Sequence, residues 1–254
     1  MDPPKTRKQR KSPRRSSSPR KSPRSSRKSF CINSEMINDD IIRIMIREIR
    51  DFIIEGGFII EEHIVQNDST LHTDRHIKKE DESDFRSTIS FNRYIDNIYE
   101  IEMLVENAIN ESKTKLDFFI ENVKGLGFKE KDIPVYNIGH VNSSRENKHF
   151  GKIQILLFLL ETILENGNLH FIIRLDNDTR TDMSDTRPSP YTIFGFIPMT
   201  DISNGPEEFC LGIYVPQSII DVLEVICKEY PILCKNICGK IKEHDKIRKR
   251  SSRK

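Results

Sequence analysis

The sequence predicts an α+β fold: three to four helices with an antiparallel β-meander in the C-terminal half, flanked by disordered basic tails. Three observations predict it. Charge is sharply partitioned along the 254 residues. Segments with a helical apolar period alternate with short extended apolar runs. The first 30 residues are almost wholly Ser, Pro, Arg and Lys and offer no apolar residue to bury between Met1 and Phe30.

The partition is hidden in the net charge of +2. Residues 1–30 hold twelve Lys and Arg against Asp2, a net +11. Residues 240–254 hold eight against Glu243 and Asp245, a net +6. Of the 41 basic and 39 acidic residues, 21 and 36 remain for residues 31–239, a net −15. This divides the chain into a disordered tail (1–33), an acidic α+β domain (34–241, with a possible sub-boundary near 66–90) and a basic C-terminal tail (242–254).

The domain reads in order as follows. Residues 38–57 are a helix: Asn38 caps it, Asp39 and Asp40 suit its positive end, and Ile42, Met45, Ile46, Ile49 and Ile53 form one face. Gly56-Gly57 stops it. Residues 58–65, FIIEEHIV, read as a strand. Residues 66–90 are polar and charged and read as a long loop, with at most a short strand near STISF. A second helix spans about 92–124, with a break near Asn110-Glu111 as one option and pairing with a partner as another. Residues 132–141 are extended. A third helix covers about 149–165, and its core IQILLFLL is too short to span a bilayer. Extended runs follow at 169–175, 191–199 and 209–215. Pro216 opens a last helix, which Pro231 kinks or splits before it dissolves into the basic tail.

Composition sets further bounds. The 37 Ile against 14 Leu and one Ala read as the base composition of an AT-rich genome, such as a microbe or a large DNA virus. The five cysteines are an odd number and no secretory signal opens the chain, so reduced thiols in an intracellular setting are expected, in the nucleus or in a virion or viral factory.

The opening run carries the chemistry of a polyanion ligand. Arg10, Lys11, Arg14, Arg15, Arg20, Lys21, Arg24, Arg27 and Lys28, helped by Arg248, Lys249 and Arg250, neutralise phosphates and release counterions. Proline keeps the arm extended. The units SPRR (12–15) and SPRK (18–21), with a degenerate SPRS at 22–25, resemble the Ser-Pro-basic-basic repeats in the tails of sperm-type and linker histones. They are also similar to tails on proteins of large nucleocytoplasmic DNA viruses, including iridoviruses. The resemblance covers about 20 residues and implies contact with the DNA minor groove, A/T-rich tracts preferred. It implies nothing about the core. Ser12, Ser18 and Ser22 precede proline and are phosphorylation candidates. Each phosphate adds about −1.5 to −2 and loosens the arm's hold on DNA.

The expected function is therefore a non-enzymatic, DNA-associated structural or packaging protein. Nucleic acid is the partner of the tails, and a protein partner or self-association belongs to the acidic core. Alternatives are an RNA-associated factor of SR-like character, or an enzyme or host-interaction domain whose tails localise it. "KIRKR" (246–250) also reads as an import signal.

The other constellations are weaker. Cys227, Cys234, Cys238 and His244 form the best metal candidate, but their C-x6-C-x3-C-x5-H spacing matches no common zinc motif and core packing is the expectation. Asp176, Asp178, Asp182 and Asp185 cluster without an EF-hand pattern, and a solvated loop is expected. His72 and His76 lie four apart on a charged stretch, and His140, His149 and His170 flank extended or helical segments. No phosphate-cradling or nucleophile motif is found, so no cofactor is expected.

Overall fold

The computed structural model describes residues 31–79, 82–94, 98–108, 110–143, 150–167, 171–177, 191, 194, 196–198, 207–211 and 216–251. The basic arm, its three candidate serines and residues 252–254 lie outside the described residues.

The fold is α+β. Helix α1 (Asp39–Glu55) begins as its sequence dictates: the Asn38 side chain accepts from the Ile41 amide at 3.2 Å. It ends at Gly56, and Gly57 at φ 78° turns the chain sharply into the sheet, a conformation a side chain resists. Strands β1 (Phe58–Gln66), β2 (Thr70–Lys79), β3 (Glu82–Tyr94) and β4 (Val135–Ser143) follow as an antiparallel meander. Between β3 and β4 stand α2 (Ile98–Asn107) and α3 (Asn110–Gly125). Helix α4 (Phe150–Glu165) is the crossover that lets β5 (Ile172–Asn177) pair parallel to β4. Strands β6 (Ile197–Pro198) and β7 (Glu207–Leu211) complete a seven-stranded mixed sheet in the order β1-β2-β3-β4-β5-β7-β6. Helices α5 (Pro216–Glu229) and α6 (Pro231–Ser251) close the described chain.

Alternation along the strands separates two faces. One face is covered: Ile77, Ile89, Tyr136, Ile138, Ile173 and Leu175 meet α1 and α4, with α5 and α6 packed against those helices. Helix α4 is apolar around most of its circumference because it lies inside this stack; Ile153 through Leu160 are all buried. On the opposite face, α2 and α3 cover only the β4–β5 region, where Leu104, Leu116, Phe119 and Val123 gather with Val135 and Ile172.

The covered face contains a four-residue ionic island. Arg75 is 3% exposed and reaches Glu62 at 2.8 Å and Glu161 of α4; Arg50 of α1 reaches the same two carboxylates at 2.9 and 2.7 Å. Burial pushes the Glu62 carboxyl up, but Arg75 and Arg50 outweigh it and hold it below its ordinary value.

Several expectations are corrected. Residues 66–90 are not a long loop: β2 and much of β3 form there, joined to β1 by a tight turn in which the Asn67 amide donates to the Thr70 carbonyl at 2.9 Å. The polar composition misleads because one face of this hairpin is solvated, while Arg75 and Ser87 sit on the other. The meander consequently occupies the first half of the sheet rather than the C-terminal half, and one strand pair is parallel. Six α-helices are present among the described residues, not three or four. The second helix begins at Ile98, since β3 takes residues 92–94, and it breaks after Asn107. Pro231 divides the last helix in two. The C-terminal tail is helical as far as Ser251.

The cysteine reading is also corrected. Cys31 is bonded to Cys238, with Cα atoms 5.8 Å apart across a sequence separation of 207. Cys227 is bonded to Cys234 across the α5–α6 junction, Cα atoms 5.3 Å apart. Four of the five cysteines are thus paired rather than reduced, and their thiolates are not available as metal ligands.

Candidate functional site

Two arrangements stand out. The first is a basic pole. Residue 31, where the +11 arm joins the described core, is covalently tied to Cys238 in the middle of α6. Ten to twelve residues further along this helix, about 15–18 Å at helical rise, lie Arg248, Lys249 and Arg250, all exposed. Leu233, Ile237 and Ile241 bury the inner side of α6, and α6 packs against α1, so the helix is fixed while its last turns point their cations to solvent. His244 Nε2 lies 3.5 Å from Asp40 Oδ2 at the start of α1, a second tie at the same end. The two most basic stretches of the chain, one at each end of the sequence, therefore join the core at one place.

The second arrangement is the open part of the sheet, the face of β1, β2, β3 and the end of β4 that α2 and α3 leave uncovered. The strand register puts four residues in one row across it: His63 (β1), Asp74 (β2), Ser90 (β3) and His140 (β4). The neighbouring row holds Glu61, His76, Thr88 and Asn142, and the row on the other side holds Val65, His72 and Asn92. The His63 and His76 rings are 6.0 Å apart between centroids. Asp74 is the hub. It accepts a hydrogen bond from the Ser90 hydroxyl, and His72 Nε2 lies 3.2 Å from its other oxygen. His72 Nδ1 faces the Asn92 amide oxygen at 2.7 Å.

This geometry sets the charge states. The Asn92 contact, reinforced by Asp74, raises the His72 pKa above its ordinary 6.5 despite partial burial, because an imidazolium donates from both nitrogens at once. The Ser90 hydroxyl, with His72, holds Asp74 below its ordinary 3.8. Ser90 donates to the carboxylate and not to a histidine, so this is not the order of a nucleophilic triad, in which the base must take the hydroxyl proton. What the face offers is a polar platform in which His72 and Asp74 favour each other's charged forms.

The other expected residues fall as follows. Arg10, Lys11, Arg14, Arg15, Arg20, Lys21, Arg24, Arg27, Lys28, Ser12, Ser18 and Ser22 lie outside the described residues, as do Asp178, Asp182, Asp185, His149 and His170. Asp176 is in β5. Cys227, Cys234 and Cys238 are divided between two disulfides, so they do not assemble with His244 as a ligand set; no metal-binding group of three His, Cys, Asp or Glu occurs among the described residues. His63, Asp74 and Ser90 are missed by sequence reasoning. The signal that could have found them is the period-two run His72-x-Asp74-x-His76-x-Lys78, a strand pattern with its polar side outward. Among the described residues no helix is long and apolar enough to cross a membrane. Compared with known protein families, with curated proteins and with solved structures, the chain matches none.

Proposed function

We propose that the protein binds nucleic acid through its basic ends, duplex DNA in preference to RNA and with little sequence specificity, in a structural or packaging role. The acidic core carries its protein contacts. The supporting observation is the convergence just described: the arm joins the core at a residue bonded to α6, and α6 ends in Arg248-Lys249-Arg250. Two cationic segments rooted together present a denser field to a phosphate backbone than either does alone. The −15 of residues 31–239 keeps polyanions off the rest of the surface.

The test is binding of the full chain and of residues 31–254 to an A/T-rich duplex, a G/C-rich duplex and an RNA hairpin across a salt series. If about eight cations engage duplex DNA, the log–log slope is near −7 for the full chain and falls sharply on truncation. Equal, weak binding by both chains would overturn the reading. Tighter binding to the hairpin than to either duplex would transfer the role to RNA.

A further inference from the structure

We propose that β1 pairs with β1 of a second copy, antiparallel about a two-fold axis through Glu62, joining two sheets into one. This gives a surface to the protein contacts proposed for the core, and it rests on that reading alone, not on nucleic-acid binding.

Strand β1 is the terminal strand of the sheet, nine residues long, and Ile64 and Val65 on it are 61% and 52% exposed. A long, flat edge with exposed apolar residues is a template for another strand. The hairpin fixes which main-chain groups are offered. The Asn67 amide donates to the Thr70 carbonyl, so Asn67 and Thr70 form a hydrogen-bonded pair. In an antiparallel ladder such pairs recur every second residue, and β1 pairs with β2 without a bulge. The odd residues of β1 therefore bond to β2, and Ile60, Glu62 and Ile64 turn their N–H and C=O groups to the open edge.

That parity limits the registers. A symmetric pairing that joins even residues to even residues has its axis on a residue, and the axes at Glu61, Glu62 and His63 overlap the most of Phe58–Gln66. With the axis at Glu61, Glu61 faces its own copy and Ile60 faces Glu62. At His63, His63 faces its own copy and Glu62 faces Ile64. At Glu62 the pairs are Ile60 with Ile64, Ile59 with Val65 and Glu61 with His63, each matched in character. The remaining like-charge pair, Glu62 with its copy, is the one whose carboxylates are already held by Arg50 and Arg75 at 2.9 and 2.8 Å. Ile60, Glu62 and Ile64 would then exchange about six main-chain hydrogen bonds between the copies.

Sedimentation of the full chain over a concentration series tests the pairing, with Ile64→Pro as the principal variant. Proline removes an N–H that points to the open edge, which a monomer tolerates there. Val65→Lys serves as a second variant that leaves the main chain intact, and circular dichroism checks the fold of both. A dimer that dissociates at least tenfold more readily in each variant is expected. Register is read by cross-linking Glu61→Cys and His63→Cys proteins: a cross-link in their mixture but in neither alone is expected. Monomer at all concentrations, or a cross-link in either variant by itself, would overturn the pairing. A dimer that both variants leave intact would also overturn it, yet would leave the core's role in protein contacts standing.

Discussion

The two faces of the sheet follow different rules. The covered face is mainly apolar, enclosed by two layers of helix, and carries the Arg50–Glu62–Arg75–Glu161 island, with Arg93 and Glu165 paired beside Tyr136. The open face carries His63, His72, Asp74, His76, Ser90 and His140 on the same strands, one residue out of phase. The contrast teaches that stability and surface chemistry are written into alternate residues of the same segments. A substitution at an even position of β2 and one at an odd position act on different properties.

The largest effect should come from the outer layer of the covered face. Cys31→Ser opens a ring closed over a sequence separation of 207. The loop-entropy relation puts the loss at about 5 kcal/mol, read as a shift in the denaturant midpoint; added reductant should shift the unaltered protein further, because it opens Cys227–Cys234 as well. Phe158→Ala should cost about 4 kcal/mol in the same assay. Its ring sits against Phe91 and Tyr136, with centroids 4.6 and 5.8 Å away. Arg75→Met sharpens the comparison from the polar side. It leaves Glu62 and Glu161 sharing Arg50 alone and should cost about 3 kcal/mol, unless an apolar side chain packs well enough to offset the lost pairs.

The open face should respond weakly and in a pH-dependent manner. Ser90→Ala removes a hydrogen bond to a partly exposed carboxylate and should cost about 1 kcal/mol or less at neutral pH. The same variant moves the Asp74 pKa upward, visible by NMR titration. His72→Gln is the smallest. The folded His72 pKa is raised, so its contribution is complete below the ordinary 6.5 and disappears as pH rises through the folded value. The Asp74 pKa is lowered, so its contribution holds above the ordinary 3.8 and disappears as pH falls through the folded value. Both contribute between roughly pH 4 and 6.5. Thermal melts should therefore separate His72→Gln from the parent near pH 5.5 and bring them together near pH 8. Equal separation at both would show that the imidazolium is not what Asp74 and Asn92 hold.

What the sequence reveals depends on how local its cause is. Helix α1 is readable from its Asn38 cap, its acidic first turn and its Gly56-Gly57 stop, all within the helix and its edges. Helix α4 is readable from a continuous apolar run. The β2–β3 hairpin is not, because Thr73, Arg75 and Ser87 stand on the covered side and erase the alternation that marks a half-buried strand. Arg75 is tolerable there only through carboxylates 13 and 86 residues away. The row His63–Asp74–Ser90–His140 depends on the register of three strand pairs, which no spacing within one strand encodes. The same holds for Cys31 and Cys238. The basic character of both ends is fully legible, but that they share a root is visible only in three dimensions.

That shared root changes how the molecule carries a mechanical load. If the arm and the end of α6 are gripped at separate points on a moving polymer, the pull enters at residue 31 and at α6 beyond residue 238. The bridge between those positions is a covalent bond. Tension passes from one lead to the other through two sulfur atoms and the final turns of α6. The sheet and its helices hang beside that line as a closed loop. Strands that would otherwise be sheared apart, at a rate set by the unfolding barrier, feel almost none of the force.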